Sequence, residues 1–237
     1  MSISTRTEHV TARDGGRFDA HLALPQTGSG PGLLLIQEIW GVTDYITGRA
    51  ADLAGLGYVV MAPDLYWRLQ PGVVLDEGTE AGLNEAFGYR QRVDYRAAVG
   101  DAAASFRHLQ ALPEVIAGTG VMGFCFGAGL AYQVAATESP ATAVCYYGSD
   151  IPAAIDLAPS VTCPVIFHFG ADDPYLTPEQ RAPIEEAFGG RPEVEIHVQP
   201  DARHAFDNHR APIFHRPAAA AAAWPLTVGF LKRTLPA

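Results

Sequence analysis

The sequence predicts an α/β fold, with a mainly parallel central sheet of about eight strands and helices on both of its faces. Short apolar segments alternate with longer segments of helical periodicity, an order typical of βαβ units joined by right-handed crossovers. Several of these short segments are almost continuously apolar, as expected for strands covered on both faces. The 237 residues are 48% hydrophobic and contain no evident linker, so we expect one domain over residues 1–237.

The elements follow from these patterns in chain order. Strands are expected at Glu8–Ala12, Phe18–Ala23, Leu33–Gln37, Tyr58–Ala62, Thr119–Phe124, Thr142–Tyr147, Val165–Phe169 and Val194–Gln199. Helices are expected at Tyr45–Leu56, Tyr95–Leu112, Phe126–Thr137, Pro178–Phe188 and Pro217–Leu235. Asp14-Gly15-Gly16 separates the first two strands and is a suitable hairpin turn.

Two segments depart from the alternation. Residues Tyr66–Val93 contain several glycines and Pro71 but no clear strand, so we expect an excursion over the carboxyl edge of the sheet, partly helical near its end. Pro217, followed by six alanines, suits the first turn of a helix. Pro225 lies eight residues later and should kink that helix or begin a second one.

Composition excludes several classes of function. The net charge is −10 and no stripe of lysine and arginine is present, which argues against nucleic acids and anionic membranes as partners. The longest apolar runs are too short to cross a bilayer, and the polar first ten residues do not resemble a signal peptide. The three cysteines form no CxxC pair, which is typical of reduced thiols, so we expect a cytoplasmic protein. We expect neither a metal nor a cofactor.

The strongest chemical motif surrounds Cys125. Residues Gly123-Phe124-Cys125-Phe126-Gly127 have the form G-x-nucleophile-x-G, between an expected strand and an alanine-rich helix. Such a nucleophile elbow needs both glycines because the strained turn brings the helix and strand backbones close together. The helix N-terminus would also favour a thiolate. The alternative is a buried structural cysteine, as free cysteines commonly are.

Two other motifs are weaker. Gly118–Gly123 matches G-x-G-x-x-G, but it leads into a strand, whereas a dinucleotide fingerprint opens a helix. His204, His209 and His215 could suggest zinc, yet their spacing does not place all three on one face of a helix. His168 lies within an expected strand and is interpreted as a core residue.

Candidate partners for Cys125 follow later strands. Their order along the chain is nucleophile, acid, histidine, the order used by hydrolases that have a nucleophile elbow. Asp172 and Asp173 come just after the strand Val165–Phe169, and we select Asp173 because it lies deeper in the loop. His204 follows the last strand and could reach back over the elbow. In this arrangement the histidine accepts the thiol proton and the aspartate orients the imidazole.

An oxyanion formed by attack of the thiolate would need backbone donors. One should be the N–H of Phe126, directly after the nucleophile. The other should come from the loop after Leu33–Gln37, near Ile39.

Motifs spread along almost the whole chain, taken together, resemble the dienelactone hydrolase family (carboxymethylenebutenolidases). The matching segments are Gln37–Val42, Ala62–Tyr66, Gly123–Gly127, Tyr146–Gly148, Gly170–Asp173 and Ala202–Phe206. The resemblance implies the α/β-hydrolase fold, a Cys125–Asp173–His204 triad and action on small lactones or esters. It places Ile39 and Phe126 as oxyanion donors, and we expect Trp40 and Tyr147, from the same motifs, to contact the substrate.

The resemblance also implies a role for Glu38, as a carboxylate that interacts with the nucleophile and helps to activate the thiol when substrate arrives. Physically, a nearby buried carboxylate would disfavour a permanent thiolate and could take up the thiol proton. Without the resemblance, Glu38 could equally be a buried structural carboxylate.

The chain departs from the family at the substrate pocket. Where the type enzyme holds its substrate's carboxylate with arginines, this chain has Leu83 and Asn208, and Ala205 stands where a serine is usual. Arg90 or Arg210 could substitute for these arginines; the alternative is that both are solvated surface residues. The departures argue against dienelactone itself as the preferred substrate.

The expected function is therefore hydrolysis of a small ester or lactone through a thioacyl enzyme. One alternative is a binding or sensing protein on the same fold with little turnover, since a fold does not dictate a function. Another is a hydrolase specific for thioesters. We expect a small-molecule substrate and a monomer or small homo-oligomer.

Overall fold

The computed structural model describes residues 3–237, and its centre is one eight-stranded sheet. The strands are β1 (Ser4–Thr11), β2 (Arg17–Leu24), β3 (Gly30–Ile36), β4 (Val59–Pro63), β5 (Val115–Phe124), β6 (Ala143–Tyr146), β7 (Val165–Gly170) and β8 (Val194–Gln199). The helices are α1 (Asp44–Gly55), α2 (Glu80–Arg92), α3 (Tyr95–Gln110), α4 (Phe126–Glu138), α5 (Pro178–Phe188) and α6 (Pro217–Thr234). Residues 1 and 2 of the polar N-terminal segment lie outside the described residues.

The sheet order is β1-β2-β4-β3-β5-β6-β7-β8. β2 pairs antiparallel with both β1 and β4, and the pairs from β4 to β8 are all parallel. The predicted α/β fold, with a mainly parallel sheet of eight strands, is confirmed. Because the strands from β3 onward run parallel, their carboxyl ends meet at one edge, where the loops carrying functional side chains are expected.

Helices cover both faces of the sheet. On one face, a Cβ atom on Gly32 would meet Leu109 of α3. The next residue, Leu33, points to the other face and approaches Leu235, which follows α6. Successive strand residues face opposite sides, so α3 and α6 lie on opposite faces. On the α6 side, the guanidinium of Arg49 in α1 stacks on Trp224, 4.2 Å from the ring centroid.

Two details differ from the expected elements. β5 begins at Val115, four residues before the expected Thr119, because its first residues pair with the start of β3. A 3₁₀ helix at Pro152–Ser160 was not expected. The excursion at Tyr66–Val93 is helical near its end, as expected. It ends in α2, whose N-terminus is capped by the Thr79 side chain accepting from the Gly82 N–H.

The expectation at Pro225 was wrong about a second helix, since α6 continues from Pro217 to Thr234. Proline leaves the carbonyl four residues earlier, on Ala221, without its helical donor. Both residues are exposed, so water can hydrogen-bond that carbonyl. Among residues 3–237, no helix is both long and apolar enough to span a membrane.

Candidate active site

The candidate nucleophile, Cys125, lies between β5 and α4 at the carboxyl edge of the sheet. Its backbone has φ 54° and ψ −118°, outside the regions that L residues normally occupy. The Cys125 N–H donates to the carbonyl of Tyr146 on β6, which fixes the turn from the neighbouring strand. This is the strained strand-to-helix geometry of a nucleophile elbow.

The two glycines of the motif permit the turn by letting backbones touch. A Cβ atom on Gly123 would lie 2.1 Å from the carbonyl oxygen of Gly127, and one on Gly127 would lie 2.4 Å from that of Ile36. Both contacts are with backbone atoms, which cannot rotate away as a side chain could. The spacing G-x-C-x-G therefore has a steric cause.

We expect Gly127→Ala to destabilise the fold by about 2–4 kcal/mol, because the backbone at Ile36 must shift to admit the methyl group. Urea denaturation would measure the loss. Gly100→Ala is the matched control, since Gly100 is helical, exposed and has no atom within 4 Å of the added Cβ. It should be neutral or stabilising by up to about 1 kcal/mol, and equal losses in the two variants would contradict the steric argument.

The structure brings the three expected triad residues into one chain of contacts. His204 Nε2 lies 3.0 Å from Cys125 Sγ, and His204 Nδ1 lies 2.8 Å from Asp173 Oδ2. The other oxygen of Asp173 accepts the backbone N–H of Tyr175 at 2.8 Å. All three triad side chains are buried.

Electrostatics within this chain favour a charged imidazole. Burial alone would lower the pKa of His204, but the charge of a Cys125 thiolate and the hydrogen bonds to Asp173 and Cys125 raise it well above its ordinary value. An imidazolium beside a thiolate is the ion pair that makes a cysteine nucleophilic near neutral pH.

Neighbouring loops and rings hold the histidine. The Asp172 N–H donates to the carbonyl of Ala202 at 2.9 Å, which ties the aspartate loop to the histidine loop. The His204 ring contacts the rings of Tyr147 and Tyr175, with centroids 5.2 and 5.1 Å away. Asp172 is exposed, whereas the selected Asp173 is buried against the imidazole.

Ile39 and Phe126, the expected oxyanion donors, both line the cleft above Cys125. Within residues 3–237, neither backbone N–H donates a hydrogen bond, which leaves both available. The hydroxyl of buried Tyr66 donates to the carbonyl of Ile39 at 3.0 Å and so fixes the orientation of that loop. A preformed pair of donors is the arrangement that stabilises a developing oxyanion.

Glu38 is fully buried beside this site, but its carboxylate is turned toward Asn208 rather than Cys125. Burial and, secondarily, the charge of Glu77 raise the pKa of Glu38 to about 8, against the opposing effects of the Asn208 amide and His204. Glu38 is therefore mostly protonated at neutral pH. A neutral acid at this position places no negative charge near the triad.

Asn208 links two buried carboxyl groups. Its Nδ2 donates to Glu38 Oε2 at 2.5 Å and to Glu77 Oε1 at 2.8 Å, and its Oδ1 accepts the backbone N–H of Arg210. Asn208 is fully buried and is absent from the lining of the cleft. At this position the chain holds Glu38 in place by a neutral amide.

The cleft above Cys125 is small, about 90 Å³. The lining includes Trp40 and Arg90 of the expected substrate contacts, and Leu83. It also includes residues that the sequence analysis did not select: Phe87, Ser149, Asp150, Tyr175 and Phe214. The cleft therefore suits a small substrate with an apolar portion.

Two of the expected substrate contacts lie elsewhere. Tyr147 is fully buried behind the imidazole of His204 and does not line the cleft. Arg210 lies in a separate surface cleft, and its side chain donates to Asp44 at 3.3 Å. The reason is that Asn208 turns inward to Glu38 and the chain then carries Arg210 outward.

The remaining histidines have other surroundings. His168 is fully buried on β7 with its Nε2 2.9 Å from the hydroxyl of Thr227, and burial lowers its pKa to about 3. His209 and His215 meet edge to face, with their ring centroids 6.4 Å apart, while His204 is occupied by Asp173 and Cys125. Within residues 3–237, no group of three or more His, Cys, Asp or Glu side chains is placed to hold a metal ion.

Comparisons with known proteins identify the family to which the chain is similar. Residues 18–235 match the model of the dienelactone hydrolase family. The chain is 37% identical to a carboxymethylenebutenolidase from Pseudomonas sp., over 96% of this chain and 94% of the relative. It is 35% identical to carboxymethylenebutenolidase 1 from Cupriavidus pinatubonensis, over 88% and 89%. A solved putative dienelactone hydrolase from Klebsiella pneumoniae is similar in fold, with a TM-score of 0.81 at 22% identity over 98% of this chain and all of the other.

Proposed function

Because the chain belongs to the dienelactone hydrolase family, we propose that this ester-bond hydrolase cleaves small esters or lactones with Cys125 as its nucleophile. The observation that carries the proposal is the contact chain from Cys125 Sγ through His204 to Asp173, at 3.0 and 2.8 Å. A carboxylate, an imidazole and a thiol in this order make a nucleophile and a proton carrier.

In the first step the thiolate attacks the carbonyl carbon, and the oxyanion accepts hydrogen bonds from the N–H groups of Ile39 and Phe126. The C–O bond then breaks, His204 gives its proton to the leaving oxygen, and the acyl group remains on Cys125 as a thioester. In the second step His204 removes a proton from water, which attacks the thioester. The acid leaves and the thiolate returns to its pairing with the imidazolium.

The test of this proposal is turnover of p-nitrophenyl acetate and a panel of small lactones, with mass spectrometry of the quenched enzyme. The expected result is release of the acid and an acetyl group on the peptide that contains Cys125. A protein that becomes acylated but releases no acid would instead favour the binding or sensing alternative. Comparing an oxygen ester with its matching thioester distinguishes a thioester-specific hydrolase.

For Glu38 we propose a gating role that depends on its charge. Below about pH 8 the acid is neutral; above it, the carboxylate is charged, which disfavours the nearby thiolate. We therefore expect kcat/KM of the wild type to fall through about pH 8, and Glu38→Gln to lack this fall. Between pH 6 and 7 the two proteins should be similar, since glutamine resembles a neutral carboxylic acid. Superimposable pH profiles above pH 8 would contradict the gating role.

A further inference from the structure

The cleft above Cys125 holds one permanently cationic side chain among its described lining residues, and that side chain is already paired. Arg90 Nη2 donates to Asp150 Oδ1 at 2.8 Å, and both residues line the cleft. The guanidinium also lies over the rings of Tyr95 and Phe126, 5.1 and 5.2 Å from their centroids. These contacts fix the position of the arginine and compensate its charge.

Away from the Ile39 and Phe126 N–H groups beside Cys125, the other walls of the cleft offer little to an anion. Leu83 and Phe87, one turn apart on α2, form one side, and Phe214 and Trp40 form another. A carboxylate entering between these apolar groups would lose hydration without gaining an unpaired cation. It would also meet the negative charge of Asp150.

We propose that this cleft selects uncharged esters and lactones over those bearing a carboxylate, and that the Arg90–Asp150 pair sets the selection. The inference rests on the proposed hydrolase function and names the substrate class of the same site. Asp150 acts as a specificity-determining residue, because it both occupies Arg90 and repels an anion. Removing its charge should release Arg90 to bind a carboxylate.

The first test uses iodoacetamide and iodoacetate, two alkylating agents of nearly equal size that differ in charge. Mass spectrometry measures the rate at which each agent alkylates Cys125. The ratio of the two rates is then divided by the same ratio measured for the free thiol 2-mercaptoethanol. In the wild type we expect iodoacetate to be disfavoured relative to the free thiol. In Asp150→Asn the iodoacetate-to-iodoacetamide ratio should rise about tenfold or more, the size expected for one charge-assisted hydrogen bond.

Two variants control this result. Asp156→Asn removes the same charge from an exposed residue of the 3₁₀ helix outside the cleft, and its ratio should equal that of the wild type. Arg90→Gln combined with Asp150→Asn should return the ratio to the wild-type range, since the released cation is gone. An unchanged ratio in Asp150→Asn, or an equal rise in Asp156→Asn, would overturn the proposal.

The second test uses turnover, with acetoxyacetamide as the neutral ester and acetoxyacetate as its anionic counterpart. We expect the wild type to prefer the amide and Asp150→Asn to shift kcat/KM toward the anion. If the wild type and all variants hydrolyse both esters without discrimination, the charge selection is overturned while the hydrolase function is supported. Selective alkylation of Cys125 with no turnover of either ester would support the selection and reject the hydrolase function.

Discussion

Cys125→Ala should lower kcat for p-nitrophenyl acetate by about 10⁴-fold or more, because the variant lacks the thiol that forms the acyl intermediate. The thiol lies 3.0 Å from the base, and its backbone is held in a strained turn that presents the side chain to the cleft. The oxyanion donors remain in this variant. Slow turnover above the rate in water is therefore expected to persist.

Cys163→Ala is the control, because this buried cysteine precedes β7 and lies outside the cleft. It should retain turnover, and thermal unfolding of both variants would establish that they fold. Activity of Cys125→Ala within tenfold of the wild type would reject a covalent mechanism through this thiol.

Asp173→Asn should lower kcat by about 10⁴-fold while leaving the fold intact, as loss of the orienting carboxylate does in triads of this type. The asparagine can still accept the Tyr175 N–H through its oxygen. It can, however, present an amide N–H to His204 Nδ1, which stabilises the wrong tautomer and leaves the imidazolium without its counter-charge.

Asp172→Asn is the matched control for this prediction, since it removes the same charge one residue earlier from an exposed side chain. Steady-state kinetics on both variants would separate a specific effect of Asp173 from a general effect of charge near the site. If the two variants lose activity equally, Asp173 has no special role in orienting the imidazole.

Much of the arrangement could be predicted from the sequence because it depends on local patterns. The elbow needs glycines at fixed offsets from Cys125, and the carboxyl ends of parallel strands bring distant loops to one edge. The selection of Asp173 over Asp172 depended on one residue of loop depth, and in the structure Asp173 is the one that contacts His204. These are features that chain order and spacing encode.

The walls of the cleft could not be predicted in the same way, because they depend on tertiary packing. Leu83, Phe87 and Arg90 lie on one face of α2, at the i, i+4 and i+7 spacing of a helix. Grouping them from the sequence would have required a prediction that the excursion is helical from Leu83 onward. No spacing indicates that Asn208 turns inward to hold two glutamates. The outward course of Arg210 follows from that turn and was missed with it.

The sheet ends in two edge strands, β1 on one side and β8 on the other. On β1, Arg6 forms ion pairs with Glu8 and, across to another segment, with Glu114. On β8, Glu195 pairs with Arg233 of α6. A strand from another molecule that added to either edge would have to displace or dehydrate these charges. The charges at the two ends of the sheet therefore oppose edge-to-edge aggregation.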